Sequence, residues 1–274
     1  MTQPINDIPL SRTGRTALDV AQQAAGLAGQ IIRDRFHTIK DIRFKGRADI
    51  VTDVDLAAEK AVLELLRGEF PDFGVLAEES APIESDSGYT WVVDPLDGTR
   101  NYAKGIPHFC TVVALAQGKD IVLGITYDPM REENFVAQVG KGALLNGDPI
   151  SVSDTREVLQ ASLCFDMGYV DEKAGMALDM LRDIWPNVQS LRLMGSAALG
   201  IAYAAAGRVD LYFHHALSPW DIASGLLLVR EAGGVVVDRQ GETADLRTPS
   251  IIAANPTLVG DFLTTIKDTP WRRG

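Results

Sequence analysis

Two aspartates three residues apart, Asp94 and Asp97, close the segment Trp-Val-Val-Asp-Pro-Leu-Asp-Gly-Thr between Trp91 and Thr99. Carboxylates gathered at one strand end bind hard cations, and a Gly-Thr turn that opens a helix offers unpaired backbone amides to an anion. A phosphate and a divalent cation can therefore meet between Asp94 and Thr99. Trp91, Val92 and Val93 suit a buried strand, Pro95 cannot extend the ladder through its own nitrogen, and Gly98 permits a tight turn. A second acidic pair, Glu78-Glu79, follows Leu76-Ala77, so two neighbouring strands would aim carboxylates at one sheet edge. Far downstream, Asp221 in Ser218-Pro219-Trp220-Asp221 precedes the helical pattern Ile222 to Leu227. An acid in a first helical turn also complements the helix dipole, by about 0.3–1 kcal/mol, whether or not it has a second task.

The elements that must carry these groups follow from periodicity. Apolar positions between Thr16 and Phe36 recur at helical spacing, and a second helix is expected over about Leu56 to Glu69. Between them, Lys40 to Asp53 with its basic tip Lys45-Gly46-Arg47 reads as a mobile loop over a site. Cys110 to Ala116, Ile121 to Tyr127 and Asn134 to Val139 read as an antiparallel meander turned by Gly118-Lys119-Asp120 and Asp128 to Glu133. Further strands are expected near Ala161 to Phe165, Ser190 to Leu193, Val209 to Phe213 and Val235 to Val237, with helices over about 171–184, 196–206, 220–232 and 256–267. This is a mixed α/β order without linker, repeat or low-complexity tract. It suggests two lobes in one compact unit: an α+β lobe, 1–150, with most of the acids, and an α/β lobe, 151–274, with Asp221. The boundary is soft, near 145–160.

Composition narrows the function classes. The 274 residues are 46% hydrophobic, enough for a sizeable core. No run of about eighteen apolar residues occurs, and Met1 to Leu10 lacks the basic-then-apolar layout of a signal peptide, so a cytoplasmic protein away from membranes is expected. Cys110 and Cys164 are the only cysteines, which argues against a disulfide framework or a cysteine zinc site. A net charge of −11 disfavours nonspecific binding to nucleic acid or anionic lipid. It fits either plain solubility or carboxylates gathered to hold cations.

Taken together in this order, Asp49 to Asp55, Glu78-Glu79-Ser80, Trp91 to Thr99, Gly195-Ser196-Ala197, Trp220-Asp221 and Glu231-Ala232-Gly233-Gly234 resemble the inositol monophosphatase family of magnesium-dependent, lithium-sensitive sugar-phosphate phosphatases. The resemblance runs through nearly the whole chain. It implies a layered α/β fold, the αβαβα sandwich of inositol monophosphatases and fructose bisphosphatases, with mixed, largely antiparallel sheets. It also implies two or three Mg²⁺ ions held by Glu78, Asp94, the Leu96 carbonyl, Asp97 and Asp221, with Asp94 shared between two ions. Such an all-oxygen set suits Mg²⁺ and gives Zn²⁺ no nitrogen or sulfur ligand.

The implied reaction is hydrolysis of a phosphate monoester by a metal-activated water. Attack by Asp94 itself ranks well below it, because a carboxylate bridging two cations has its charge engaged. By resemblance, Thr99 paired with Asp55 orients and helps deprotonate that water, with Glu78 also catalytic. The Gly98 and Thr99 amides hold the phosphate, while Asp97, Gly195, Ser196, Ala197 and His214 contact the rest of the substrate. A homodimer acting on a small phosphorylated polyol or amino alcohol is implied.

Plainer roles are expected for the neighbours: Glu79 as a hydrogen-bonding acid, Asp53 as a turn or cap acid, His108 as a loop histidine. One position departs from the family pattern, since His214 stands where a glutamate often contacts the inositol ring. Inositol monophosphate stays first among substrates, ahead of histidinol phosphate and fructose 1,6-bisphosphate, with a nucleoside 3′,5′-bisphosphate behind them. A function of another class is carried beside these, because some similar proteins act in RNA synthesis by binding the transcription machinery.

Overall fold

The structure, a computed structural model, describes residues 8–47 and 49–273; most of the Met1 to Leu10 segment read for a signal peptide lies outside them. The first helix, α1 (Ala17–Arg35), starts on a capping box formed by Thr16 and Asp19. Next come β1 (Ile42–Phe44) and β2 (Ile50–Thr52), which pair antiparallel with Ile42 opposite Thr52. The segment expected to be a loop is thus a hairpin with Lys45 and Arg47 in its turn. Every residue of β1 is exposed, so no apolar alternation marked it as a strand. The second helix, α2 (Asp53–Glu69), begins three residues earlier than expected. Its first turn is polar because Thr52 and Asp55 form the capping box there, and apolar spacing does not register such a turn.

Seven strands form the larger sheet: β3 (Gly74–Ala77), β4 (Tyr89–Asp97), β5 (Cys110–Gln117), β6 (Asp120–Asp128), β7 (Glu133–Gln138), β8 (Ala143–Leu145) and β9 (Asp148–Pro149), side by side in chain order. Only β3 and β4 run parallel. The short helix α3 (Thr99–Ala103) follows β4 directly.

The rest of the chain supplies β10 (Ser162–Phe165), α4 (Asp171–Ile184), β11 (Ser190–Leu193), α5 (Ala197–Ala205), β12 (Leu211–His214), α6 (Pro219–Glu231), β13 (Val235–Val237), β14 (Ile251–Ala254), α7 (Pro256–Thr265) and α8 (Pro270–Arg273). Its five strands form a second sheet in the order β11-β10-β12-β14-β13, parallel as far as β12 and antiparallel beyond. The strand β14 was not expected; all four of its residues are buried, so it lacks the two-residue alternation of a half-exposed strand.

Strand alternation sorts the side chains into three cores. Trp91, Val93, Val113 and Leu115 face α1 and α2. Val92, Val112 and Ala114 face the other way and pack with α5, α6 and the second sheet's Cys164, Tyr212 and Ala253. Leu163, Phe165, Leu211 and Phe213 form the third core with α4, α7 and Trp271 of α8. The result is a five-layer αβαβα sandwich with α5 and α6 enclosed between the sheets. Both of these helices are apolar almost all round, as enclosure requires. No helix among the described residues is long and apolar enough to cross a membrane.

Candidate active site

A fault in the β4–β5 ladder brings Asp94 and Asp97 together. Asp94 faces Val112 and Asp97 faces Cys110, so three steps on β4 match two on β5. In a regular strand, residues three apart point to opposite faces; one extra residue turns Asp97 back toward Asp94. Pro95 sits inside this bulge, where its missing N–H costs no ladder bond, and its carbonyl accepts from the Thr111 hydroxyl at 2.9 Å. Asp94 Oδ1 in turn accepts from the Leu96 amide at 2.9 Å.

Asp221 reaches the same place from the start of α6. One of its oxygens accepts the Ser218 amide at 2.7 Å in a capping box, and the other remains for the cleft. Ligand oxygens of Asp94, Asp97 and Asp221 lie within 4.8 Å of one another. Burial, followed by the charges of Glu78, Asp97 and Asp221, pushes Asp94 well above the usual carboxylate range. Burial and the neighbouring Asp97 do the same to Asp221. Asp97 is also raised by burial, although the Ser196 hydroxyl and the amides of Ala197 and Ala198 at the start of α5 partly offset this. Three acids that resist ionising together, Asp94 buried and Asp97 and Asp221 partly so, could hold a cation, and an all-oxygen set in this arrangement fits Mg²⁺.

Glu78, at the end of β3, already has a cation beside it. Lys45 Nζ donates to Glu78 at 2.7 Å and to Glu79 at 2.9 Å, with Asp49 at 3.8 Å. Burial works against the ammonium, but the two glutamates outweigh it and hold the lysine pKa above its ordinary value. Burial raises Glu78 to about 7 despite Lys45. Glu79 thus has the hydrogen-bonding role expected of it. Asp53 ties the hairpin to α1 and α2, accepting from the Asp41 amide at 3.0 Å and pairing with Arg35 at 3.4 Å. His108 is buried with its ring packed crosswise against Tyr203, and burial lowers it to about 4.

Asp55 does not line the cleft. It is buried beneath Thr99, with Oδ2 taking the amide and hydroxyl of Thr52 and Oδ1 standing 2.9 Å from the Thr99 hydroxyl. That hydroxyl is also 2.9 Å from the Leu96 carbonyl, and its single proton can serve only one acceptor at a time. Burial lifts Asp55 to about 6 against the hydrogen bonds that lower it. One turn along α2, buried Glu59 accepts from the Glu79 amide at 2.9 Å and from the Ser80 hydroxyl, so it fixes the turn that presents Glu78. Glu59 was not singled out from the sequence. Its signal was an acid four residues after Asp55 on the apolar face of the same helix.

The opposite wall bears on the amides expected there. The Gly195 and Ala197 amides, expected to meet a substrate hydroxyl, are engaged within the protein: Gly195 donates to Asp166 and Ala197 to Asp97. The Ser196 hydroxyl also donates to Asp97. The Ala197 and Ser196 contacts follow from Asp97 serving as the acid at the start of α5, and the Gly195 contact from Asp166. His214 does line the cleft, but it is neutral. Burial pushes its pKa far down, and Nδ1 accepts the Ala216 amide at 3.0 Å, which leaves the ring proton on Nε2.

Asp166 was missed, since nothing in Phe165-Asp166-Met167 marks it before β10 and β12 are placed. It accepts from the Met194 amide at 3.2 Å, from the Gly195 amide and from the Tyr212 hydroxyl at 3.1 Å, and burial raises it to about 6. An acid with a raised folded pKa binds its proton more tightly in the native state. Its ionisation therefore removes stability as pH climbs from about 4 to about 6, and the full cost stays present above that. Asp166→Asn should gain on the parent by up to about 3 kcal/mol between pH 4 and pH 7. Urea midpoints of both proteins in EDTA at the two pH values measure the gain, and an unchanged difference contradicts it.

The cleft enclosed by these walls has a volume of about 330 Å³. Glu78, Asp94, Asp97, Thr99, Arg100, Tyr169, His214 and Asp221 are among its lining residues, and Arg47 in the hairpin turn pairs with Asp171 at the start of α4 across its mouth.

Residues 15–268 match the profile of the inositol monophosphatase family. A protein named Nus factor SuhB from Pasteurella multocida is 38% identical over 254 residues, covering 91% of this chain and 95% of its own. An inositol monophosphatase from Dictyostelium discoideum is 35% identical over 278 residues, covering 97% and 99%. The crystal structure of the extragenic suppressor protein suhB from Bartonella henselae superposes with a TM-score of 0.87 at 38% identity, covering 92% of this chain and 98% of that one.

Proposed function

Because the chain belongs to the inositol monophosphatase family, we propose that it hydrolyses a small phosphate monoester in a reaction that depends on Mg²⁺. The observation that carries this reading is the convergence of Asp94, Asp97 and Asp221 beside Glu78 and the Thr99–Asp55 pair. Glu78, Asp94, the Leu96 carbonyl, Asp97 and Asp221 are the groups that would hold the ions. Bound there, Mg²⁺ lowers the pKa of a coordinated water and offsets charge on the phosphoryl oxygens.

The chain's own groups supply orientation and proton transfer. Once the Leu96 carbonyl is engaged elsewhere, the Thr99 hydroxyl donates to Asp55 and turns its lone pairs toward the cleft, where it can accept from the attacking water. Asp55 acts only through Thr99, because it is buried behind it. Glu78, raised to about 7, is the second group able to take a proton near neutral pH. Gly98 and Thr99, at the bend between β4 and α3, bring their backbone amides to the cleft for the phosphate.

Inositol 1-phosphate is the reference ester, since relatives bear the name inositol monophosphatase. The test is phosphate release from inositol 1-phosphate, histidinol phosphate and fructose 1,6-bisphosphate with Mg²⁺ and with EDTA. Release with Mg²⁺ that EDTA removes is expected, as is inhibition by lithium at concentrations where sodium has no effect. A second reading rests on relatives named Nus factor SuhB: a binding role in RNA synthesis. Release from none of the esters would favour it over the phosphatase.

A further inference from the structure

Two cations line the cleft among the described residues, and they behave differently. Lys45 is bound to Glu78 and Glu79. Arg100, the residue after Thr99, is exposed, and its guanidinium has no ion pair and no hydrogen bond among the described residues, although several carboxylates line the same cleft. An arginine serving merely as counter-charge to that cluster would be paired with it. Instead the guanidinium stands over the ring of Tyr169, 5.0 Å from its centroid, which points it to the wall made by β12 and the β10–α4 connection.

The neighbours of Arg100 on that wall are hydrogen-bond donors. His214 is neutral with its proton on Nε2, and the Arg100 charge adds to the burial that keeps it so. The Tyr169 side chain is half-exposed, and its hydroxyl, protonated at neutral pH, can donate. Asp166, which lines the same cleft, already accepts from two amides and the Tyr212 hydroxyl. Gly168 passes so close to His214 that an added Cβ would lie 2.9 Å from its Cε1, so no side chain fits beside the histidine, which lines the cleft while remaining almost wholly buried. A planar guanidinium flanked by two donors is complementary to an oxyanion, which it can grip with two parallel N–H groups.

We propose that Arg100, stacked on Tyr169 beside His214, binds a second anionic group on the alcohol portion of the substrate, so that the preferred substrates are phosphate monoesters carrying a further phosphate or carboxylate. The assignment rests on the phosphatase reading and names the substrate class for it.

Two matched pairs of esters test it on the full chain with Mg²⁺. Fructose 1,6-bisphosphate against fructose 1-phosphate reads a second phosphate, and 2-phosphoglycerate against glycerol 2-phosphate reads a carboxylate. In the parent protein, kcat/KM is higher for the member with the extra anion in at least one pair. Arg100→Gln lowers that ratio at least fivefold, mainly through KM, while Arg100→Lys retains part of it because the charge survives without the planar fork. Tyr169→Leu, which removes the platform, moves the ratio in the same direction. The pair that responds identifies the group.

A ratio that changes less than fivefold in both pairs, or an equal loss on all four esters, overturns the subsite; the equal loss would place Arg100 on the reacting phosphate. The parent releasing phosphate from none of the four, nor from inositol 1-phosphate, would overturn the phosphatase reading itself. The two failures are thereby distinct.

Discussion

Asp94→Asn should reduce Mg²⁺-dependent phosphate release by at least about a thousandfold, roughly 4 kcal/mol of transition-state stabilisation, while the metal-free variant melts no lower than the parent. The two halves of this result have one cause. Asp94 is buried among Glu78, Asp97 and Asp221, and its pKa lies well above that of an unfolded aspartate. Ionising it in the folded, metal-free protein therefore costs stability at any pH above the unfolded value, and an asparagine does not incur that cost.

The amide keeps the local structure, because its oxygen still accepts from the Leu96 amide. It loses the negative charge with which Asp94 would help to hold the proposed Mg²⁺ ions. Phosphate release across a Mg²⁺ series measures the first half, and melting in EDTA measures the second. A variant with more than a tenth of parental activity would defeat the two-ion scheme. A variant that melts far lower in EDTA would mean that Asp94 is structural rather than held in a repulsive cluster.

The second large effect is on the fold. Gly124→Val should cost about 3 kcal/mol, the upper end of the overpacking range, because the atoms it meets are backbone. A Cβ at Gly124 would lie 2.8 Å from Ser224 Cα and 3.0 Å from Ser224 O. There β6 and α6 touch without an intervening side chain, and the buried hydroxyls of Thr126 and Ser224 bond at 2.6 Å beside them. Nothing flexible can yield, so α6 must move off the sheet. Asp221 moves with it, since the helix carries that residue in its first turn. Urea unfolding at neutral pH reads the stability loss, and Mg²⁺ titration by calorimetry reads the displaced ligand. An unshifted urea midpoint would show that the middle layer is looser than the contacts indicate.

Much of the architecture was legible in the chain. The ends of α4, β11 and β13 agree with the expected spans, because each has a strong pattern and clear stops. The strands β1 and β14 were not legible, for opposite reasons: one has no buried residue and the other no exposed one. The same division runs through the site. Asp94, Asp97 and Asp221 stood out because acids next to apolar strand ends or in a first helical turn are local features. Glu59 and Asp166 did not, because their roles are to hold backbone amides of segments 20 and 29 residues away.

The order of acidic motifs along the chain was enough to establish the family and the kind of chemistry, since metal-ligand type is written in side-chain identity. Which groups remain free to meet a substrate was decided by packing. Asp97 gives Oδ2 to the start of α5, Asp166 takes the Gly195 amide, and burial leaves His214 neutral, while the Arg100 guanidinium stands unpaired over Tyr169. Hydrogen-bond saturation and desolvation are properties of a neighbourhood, and residues far apart in sequence become neighbours only when the five layers close.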